Sequence, residues 1–102
     1  MASFPIRITR YLSDDPFPGI VESEFRDIDG KVHRVRGKTA VLSCDLLTEK
    51  SSYPQMALIE VRVIESDNLS DRALIDIDVP WGLESVEGLT RFWVDLRLVE
   101  FT

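Results

Sequence analysis

Apolar and polar residues alternate through most of this chain, and that alternation constrains its fold more than any other feature. The pattern is clearest in residues 59–63 and 74–79. Successive side chains of a β-strand point to opposite faces, so a period of two predicts strands with one buried face and one solvated face. Six or seven such runs, separated by turn residues, predict an all-β fold: a single small antiparallel barrel or sandwich.

Length and cysteine content bound the architecture further. The 102 residues predict one domain over residues 1–102, large enough for a modest core without staples. A single cysteine cannot close an intrachain disulfide. Arg7 and Arg10 interrupt the first apolar stretch, which argues against a signal peptide, and no apolar run approaches the ~20 residues of a membrane helix. We therefore expect a cytoplasmic protein that does not enter a membrane.

The strands are predicted at residues 4–12, 20–27, 31–36, 39–42, 56–65, 73–79 and 89–101. Pro5 cannot donate a ladder hydrogen bond and predicts that the first strand begins as a sheet edge. Residues 43–50 fit either one short helical turn, capped by Ser43, or a continued strand. Strand order stays open, because a meander and a Greek key give the same pattern.

Alternation also assigns faces within each strand. It places Leu12 on the inner face of the first strand and Tyr11 on the outer face. In the last segment it places Leu98 inward, with Phe92 and Val94, and Val99 outward. Because that segment carries apolar residues on both faces, it is expected where one sheet curls onto another, or at an interface.

Charge predicts the register of the hairpin formed by the second and third strands. A two-residue turn at 29–30 would pair charged with apolar residues. A three-residue turn with Gly30 in the left-handed position instead pairs Glu24 with Arg34 and Glu22 with Arg36. Opposite charges across a strand pair contribute roughly 0.2–1 kcal/mol each, so we predict the three-residue register.

The chain has one histidine, His33, and one cysteine, Cys44. In the predicted register His33 lies beside Phe25 on the inner face or its rim. No nucleophile motif accompanies it, so we interpret it as a packed histidine rather than a general base. Cys44 stands in an apolar context without a second cysteine and is expected to be a buried, inert thiol. One Cys and one His cannot supply the four ligands of a structural zinc site.

Asp76 and Asp78 alternate on one strand, with Asp67 and Asp71 in the preceding loop. A hard cation requires several convergent carboxylate oxygens, and no EF-hand-like loop is present. We interpret the aspartates as a solvated acidic face. No glycine-rich phosphate loop occurs either, and no metal or cofactor is predicted.

One stretch offers a candidate pocket. Glu84 and Glu87 lie near Trp81, an arrangement that could serve a sugar-like ligand at a barrel mouth together with Tyr53. The alternative is that Trp81 plugs one end of the barrel while both glutamates stay in water, and we favour it.

Charge bears on partners. The formal net charge of −6 argues against nucleic acid and fits a basic partner. Most strands carry arginines, which we expect to pair with nearby acids. Lys31, Arg34, Arg36 and Lys38 could form a local basic stripe, but it lacks the interleaved aromatics of single-strand binders.

Two segments carry a resemblance to a known group. Residues 19–27, followed by Asp29, Gly30 and Lys31, resemble the opening of a family of small uncharacterised bacterial proteins; residues 80–88, with Phe92 and Val94, resemble its C-terminal part. The resemblance implies a small β-barrel like the β domains of elongation factor Tu. The family has no assigned activity, so no functional residue is carried over.

The sequence therefore predicts a non-catalytic protein–protein interaction module. Trp81, Trp93 and Phe101 are its candidate anchors, because aromatic residues dominate interface hot spots. One form is an immunity-type protein that blocks a basic toxin; another is a homodimer paired through an edge strand near Phe4. The alternative is a small-ligand-binding barrel or minor enzyme using Tyr53, Trp81, Glu84 and Glu87.

Overall fold

Seven antiparallel strands form one curled sheet, a half-barrel, which confirms the all-β prediction. The computed structural model describes residues 2–15, 17, 19–42 and 47–101. Within these ranges, one short helical turn, α1, and one 3-10 turn, Leu96–Leu98, accompany the strands. The elements in chain order are β1 Ala2–Ser13, β2 Ile20–Arg26, β3 Val32–Lys38, α1 Thr39–Leu42, β4 Gln55–Asp67, β5 Arg72–Asp76, β6 Arg91–Asp95 and β7 Glu100–Phe101.

Two three-stranded meanders, joined through β1 and β4, build the sheet in the order β3-β2-β1-β4-β5-β6. β1 is therefore an interior strand and not the predicted edge. Along its other side it pairs first with β7, at Ala2 and Ser3, and then with β2 from Arg7 onward. Pro5 lies where the neighbour changes, and a proline leaves no N–H unpaired at that break. Phe4 pairs with Ile59 on one side, but among the described residues β1 has no strand partner at residues 4–6 on the other side, and a dimer paired near Phe4 stays a prediction.

The β2–β3 hairpin has the predicted register. Glu24 lies opposite Arg34 and Glu22 opposite Arg36. The Gly30 N–H donates to the Asp27 carbonyl at 3.0 Å, and Gly30 has φ +82°, the left-handed conformation of a three-residue turn.

A β-bulge in β1 overturns one predicted face assignment. The pairing with β2 runs from Ile8 opposite Ser23 to Arg10 opposite Glu22, so the strand gains a residue between them. An extra residue exchanges the two faces beyond it. Tyr11 consequently packs against the core, where alternation had placed Leu12.

Residues 39–42 were predicted as a strand and form the helical turn α1 instead. The Thr39 N–H donates to the Gly19 carbonyl at 3.0 Å, which starts the turn. Thr39 and Leu42, three residues apart, share one side of a helical turn, and both are buried. Residues 43–46, including Cys44, lie outside the described residues, and residues 47–50 form a turn without helix.

Residues 89–101, predicted as one strand, contain β6, the 3-10 turn and β7. After β6, the Asp95 carboxylate accepts the Arg97 N–H at 2.9 Å, and the Leu96 carbonyl accepts the Val99 N–H at 3.1 Å. This 3-10 turn shifts the alternation, so Val99 is buried and Leu98 exposed, opposite to the prediction. It carries the chain from β6, beside β5, to β7, beside β1, which explains the apolar residues on both faces.

The core fills the inside of the curl, and residues 77–90 close its open side. Val35 of β3 bridges to Ser85, and the Val86 N–H donates to the Arg34 carbonyl at 2.9 Å. Leu83, a residue of this loop, is buried. The fully buried large side chains come from β1 to β6 and α1, namely Phe4, Ile6, Ile8, Val21, Val35, Leu42, Ile59, Val61, Ile75 and Val94, with Ile77 following β5. None of the described helices is long and apolar enough to cross a membrane.

Candidate functional site

His33 is sealed inside the barrel, as a packed histidine was predicted to be. It is 2% exposed, and its ring lies 4.5 Å from that of Phe92 and 5.5 Å from that of Phe25, centroid to centroid. Its Nε2 is 2.7 Å from Asp27 Oδ2. No described residue offers a hydrogen bond to its buried Nδ1. A side chain enclosed in this way cannot reach a substrate at the surface.

Asp27 ties this histidine to the hairpin turn. Its Oδ1 accepts the backbone N–H groups of Asp29 at 2.9 Å and Lys31 at 3.0 Å. Burial raises the pKa of Asp27, but the hydrogen bonds from His33 and the two backbone groups outweigh it and hold that pKa below its ordinary value. The Asp27–His33 pair therefore holds the hairpin turn in place.

Two outer-face carboxylates are each covered by arginines from both neighbouring strands. Glu22 Oε2 lies 3.0 Å from Arg36 Nε and 3.4 Å from Arg10 Nη2. Burial raises the pKa of Glu22, but hydrogen bonds and charge from Arg36 and Arg10 outweigh it and leave the pKa lowered. Most strand arginines pair with nearby acids as predicted, whereas Arg26 and Arg34 have no carboxylate within 4.0 Å among the described residues.

Asp76 holds the same position in the second meander. Its Oδ2 lies 3.1 Å from Arg62 Nη2 and 3.6 Å from Arg91 Nε, and the residue is only 4% exposed. The predicted solvated face is therefore wrong at Asp76, because arginines on both sides exclude water from it. Asp78 is exposed. The described residues contain no group of three metal-ligating side chains.

The three predicted anchors differ in exposure. Trp81 is 52% exposed and Phe101 62% exposed. Trp93 is half-buried, with the Arg72 guanidinium 4.5 Å from its ring centre. Trp81 does not plug the barrel; Leu83 does.

The predicted pocket residues spread over more than one region. Glu84 and Glu87 are exposed in the closing loop, and Glu87 lies 3.9 Å from Lys31 Nζ. Tyr53 donates its hydroxyl to the Thr48 carbonyl at 2.7 Å, after α1. Two cavities among the described residues have other linings.

The first cavity, about 550 Å³, lies where β1 ends. Its lining is mixed and includes Tyr11, Asp14 and Glu49. Burial, and then the charges of Asp14, Tyr53 and Glu49, raise the pKa of Tyr11. Tyr53 therefore adjoins this cavity, although it does not line it.

The second cavity is an open groove of about 440 Å³ at the break in β1 pairing. Pro5, Met56 and Leu98 give it an apolar lining, and Arg7 and Arg26 stand among its polar residues. Met56 is 70% exposed. Sequence reasoning missed this site, because its residues come from β1, β2, β4 and the 3-10 turn; the signal available was Pro5 within an apolar strand.

Comparison with protein-family models, curated proteins and solved structures finds no match. The resemblance to a bacterial family with a barrel like those of elongation factor Tu stays a prediction.

Proposed function

We propose that this protein is a non-catalytic protein–protein interaction module of the bacterial cytoplasm. The observation that carries the proposal is that the titratable histidine is buried while large aromatic side chains are exposed. The one histidine is enclosed and held by Asp27, while Trp81 and Phe101 present large apolar areas to solvent. Aromatic side chains left at a surface are the residue types that dominate interface energetics.

The carboxylates support the same proposal. Glu22 and Asp76 are saturated by flanking arginines, which leaves neither as an acid or base for a substrate. Both lie on strand faces and not in the two cavities. Among the described side chains with perturbed pKa values, Glu22 stabilises the sheet and Asp27 the hairpin turn.

The partner is a protein or a second copy of this chain. The net charge of −6 supports a basic partner, the immunity-type form included, because opposite charges speed association. Self-association is the other form, through the side of β1 near Phe4 that has no strand partner among the described residues.

Affinity capture from the native lysate tests the proposal, with the full chain, Trp81→Ser, Phe101→Ser and Leu69→Ser as baits. Leu69 is fully exposed at the β4–β5 turn, so its variant is the matched control for lost apolar surface. We expect one stoichiometric partner that Trp81→Ser or Phe101→Ser loses and Leu69→Ser retains. Analytical ultracentrifugation of the same variants covers self-association. A blank capture together with a strictly monomeric chain would reject the proposal.

A small-ligand-binding barrel or minor enzyme is the second candidate, favoured by the Tyr11 cavity next to Tyr53. Its volume is within the range of small-molecule sites. A thermal-shift screen with metabolites and divalent cations tests it, because a ligand at a hundred times its Kd adds about 2.7 kcal/mol of stability. No shift across the screen would remove this candidate.

A further inference from the structure

The outer face of β1, β2 and β3 is basic, although the chain is acidic. These three strands carry six cations whose positions alternate onto this face, and only two acids. The β1 bulge turns Arg10 to this outer face, where it lies across from Glu22 on β2. The basic face consists of Arg7, Arg10, Arg26, Arg34, Arg36 and Lys38, with Glu22 and Glu24 between them.

Ion pairs within the basic face leave much of its positive charge exposed to solvent. Glu22 and Glu24 pair with Arg10, Arg36 and Arg7, and each of these arginine side chains remains more than half exposed. Arg34 has no carboxylate within 4.0 Å among the described residues. Arg26 donates only to the Gly30 carbonyl, at 3.1 Å, among them. Guanidinium groups with spare donors bind carboxylates in bidentate geometry.

The apolar groove of Pro5, Met56 and Leu98 borders this basic face. Arg7, Glu24 and Arg26 line both the face and the groove, so the two are continuous. One occupant can therefore place carboxylates on the arginines and an apolar side chain in the groove. We propose that this combined surface binds an acidic segment of a partner protein that carries an apolar anchor residue. This inference rests on the proposed interaction module and departs from the basic partner that the net charge alone suggests, because the charge of this face is positive.

The composition of the surface favours an acidic protein segment over nucleic acid. The strand residues of the basic face include no aromatic side chain on which a base could stack. Exposed Met56 and Leu98 need an apolar partner group, which a sugar-phosphate chain does not supply. The net charge of −6 further opposes a polymer as densely charged as nucleic acid.

Selection from a random library of short displayed peptides tests the proposal, with the full chain immobilised. We expect enrichment of peptides with Asp or Glu around one apolar residue. Synthesised peptides should bind an Arg26→Glu, Arg34→Glu double variant about tenfold or more weakly than the wild-type chain. Their binding to the wild-type chain should also weaken at higher salt. Met56→Gln, which keeps every charge, should also weaken them. Circular dichroism confirms that each variant is folded.

Two variants serve as matched controls. Lys50→Glu makes a charge reversal at an exposed turn outside the face, and Leu69→Gln removes an exposed apolar side chain far from the groove in sequence. Both should bind the selected peptides as the wild-type chain does.

The remaining outcomes would overturn the inference in distinguishable ways. Enrichment of Lys- or Arg-rich peptides, or binding unaffected by the double variant, would reject the acidic segment and leave the interaction module standing. If no peptide is selected but the lysate yields a partner whose binding depends on Trp81, the acidic segment is also rejected and the interaction module stands. Preferential binding of a single-stranded DNA oligonucleotide would reject both the inference and the proposed function.

Discussion

Glu22 shows how a carboxylate is kept charged on a β-sheet without a deep pocket. Arg10 and Arg36, on the strands at either side, cover it so closely that it is buried while both arginines keep contact with water. The cations thus lose little hydration, and the desolvation cost falls on one carboxylate that gains two charged hydrogen-bond donors. Asp76, beneath Arg62 and Arg91, repeats the arrangement.

Replacing Glu22 with Gln should lower the free energy of unfolding by about 1–2 kcal/mol, because the side chain keeps its size but loses charged hydrogen bonds to Arg10 and Arg36. Urea denaturation measures the loss. Glu24→Gln is the control, since Glu24 is partly exposed and its arginine lies 3.9 Å away; it should cost about 0.5 kcal/mol or less. Equal costs would show that burial of Glu22 under two arginines is unimportant.

Acid should selectively remove the contribution of Glu22. Its pKa is lowered in the folded state from the ordinary value of 4.5, so the unfolded chain binds the proton more tightly. The stabilisation is therefore complete above that value and is lost as pH falls through the lowered folded-state pKa. Urea unfolding from about pH 6 to about pH 3 should show this loss, on top of that from the other carboxylates. The difference between wild type and Glu22→Gln should shrink across the window; a constant difference would contradict it.

At the scale of elements, the hairpin was predictable because several signals agree. Opposite charges, apolar alternation and Gly30 all specify the same three-residue register. The misassigned segments lack that redundancy. One bulge between Ile8 and Arg10 reverses the faces beyond it, and the residues themselves give no warning. Residues 39–42 are too few to distinguish a period of two from 3.6, and the bond from Thr39 to Gly19 decides.

Gly30→Ala tests the backbone part of that agreement. An added Cβ meets nothing within 4 Å, so the cost comes from φ +82° alone and should be about 1 kcal/mol. Gly30→Asn should cost less, because asparagine tolerates the left-handed region. Thermal and urea unfolding of the two variants compare them. If alanine and asparagine cost the same, strain at this turn is not what selects glycine.

At the scale of the whole molecule, composition and arrangement carry different information. The net charge of −6 predicts a basic partner, yet β1, β2 and β3 gather cations on one face, whereas β4, β5 and β6 contain more acids than bases. The sequence shows the basic stripe that includes Arg34, Arg36 and Lys38, but only strand pairing and the bulge place Arg7, Arg10 and Arg26 on the same face. The candidate site was equally out of reach, because Pro5, Met56 and Leu98 meet only when the sheet curls.

Closure of the barrel provides the last prediction. Trp81 and Leu83 are both apolar residues of the loop, and the sequence alone favoured the larger as the plug. In the structure Leu83 is the buried one, packed so close to Gly37 that an added Cβ there would lie 3.2 Å from Leu83. Leu83→Ala should therefore lower the free energy of unfolding by about 2–3 kcal/mol, as a core truncation does. Trp81→Ala, at an exposed position, should cost less than about 1 kcal/mol. Urea denaturation separates the two, and the reverse order would mean that Trp81 closes the barrel after all.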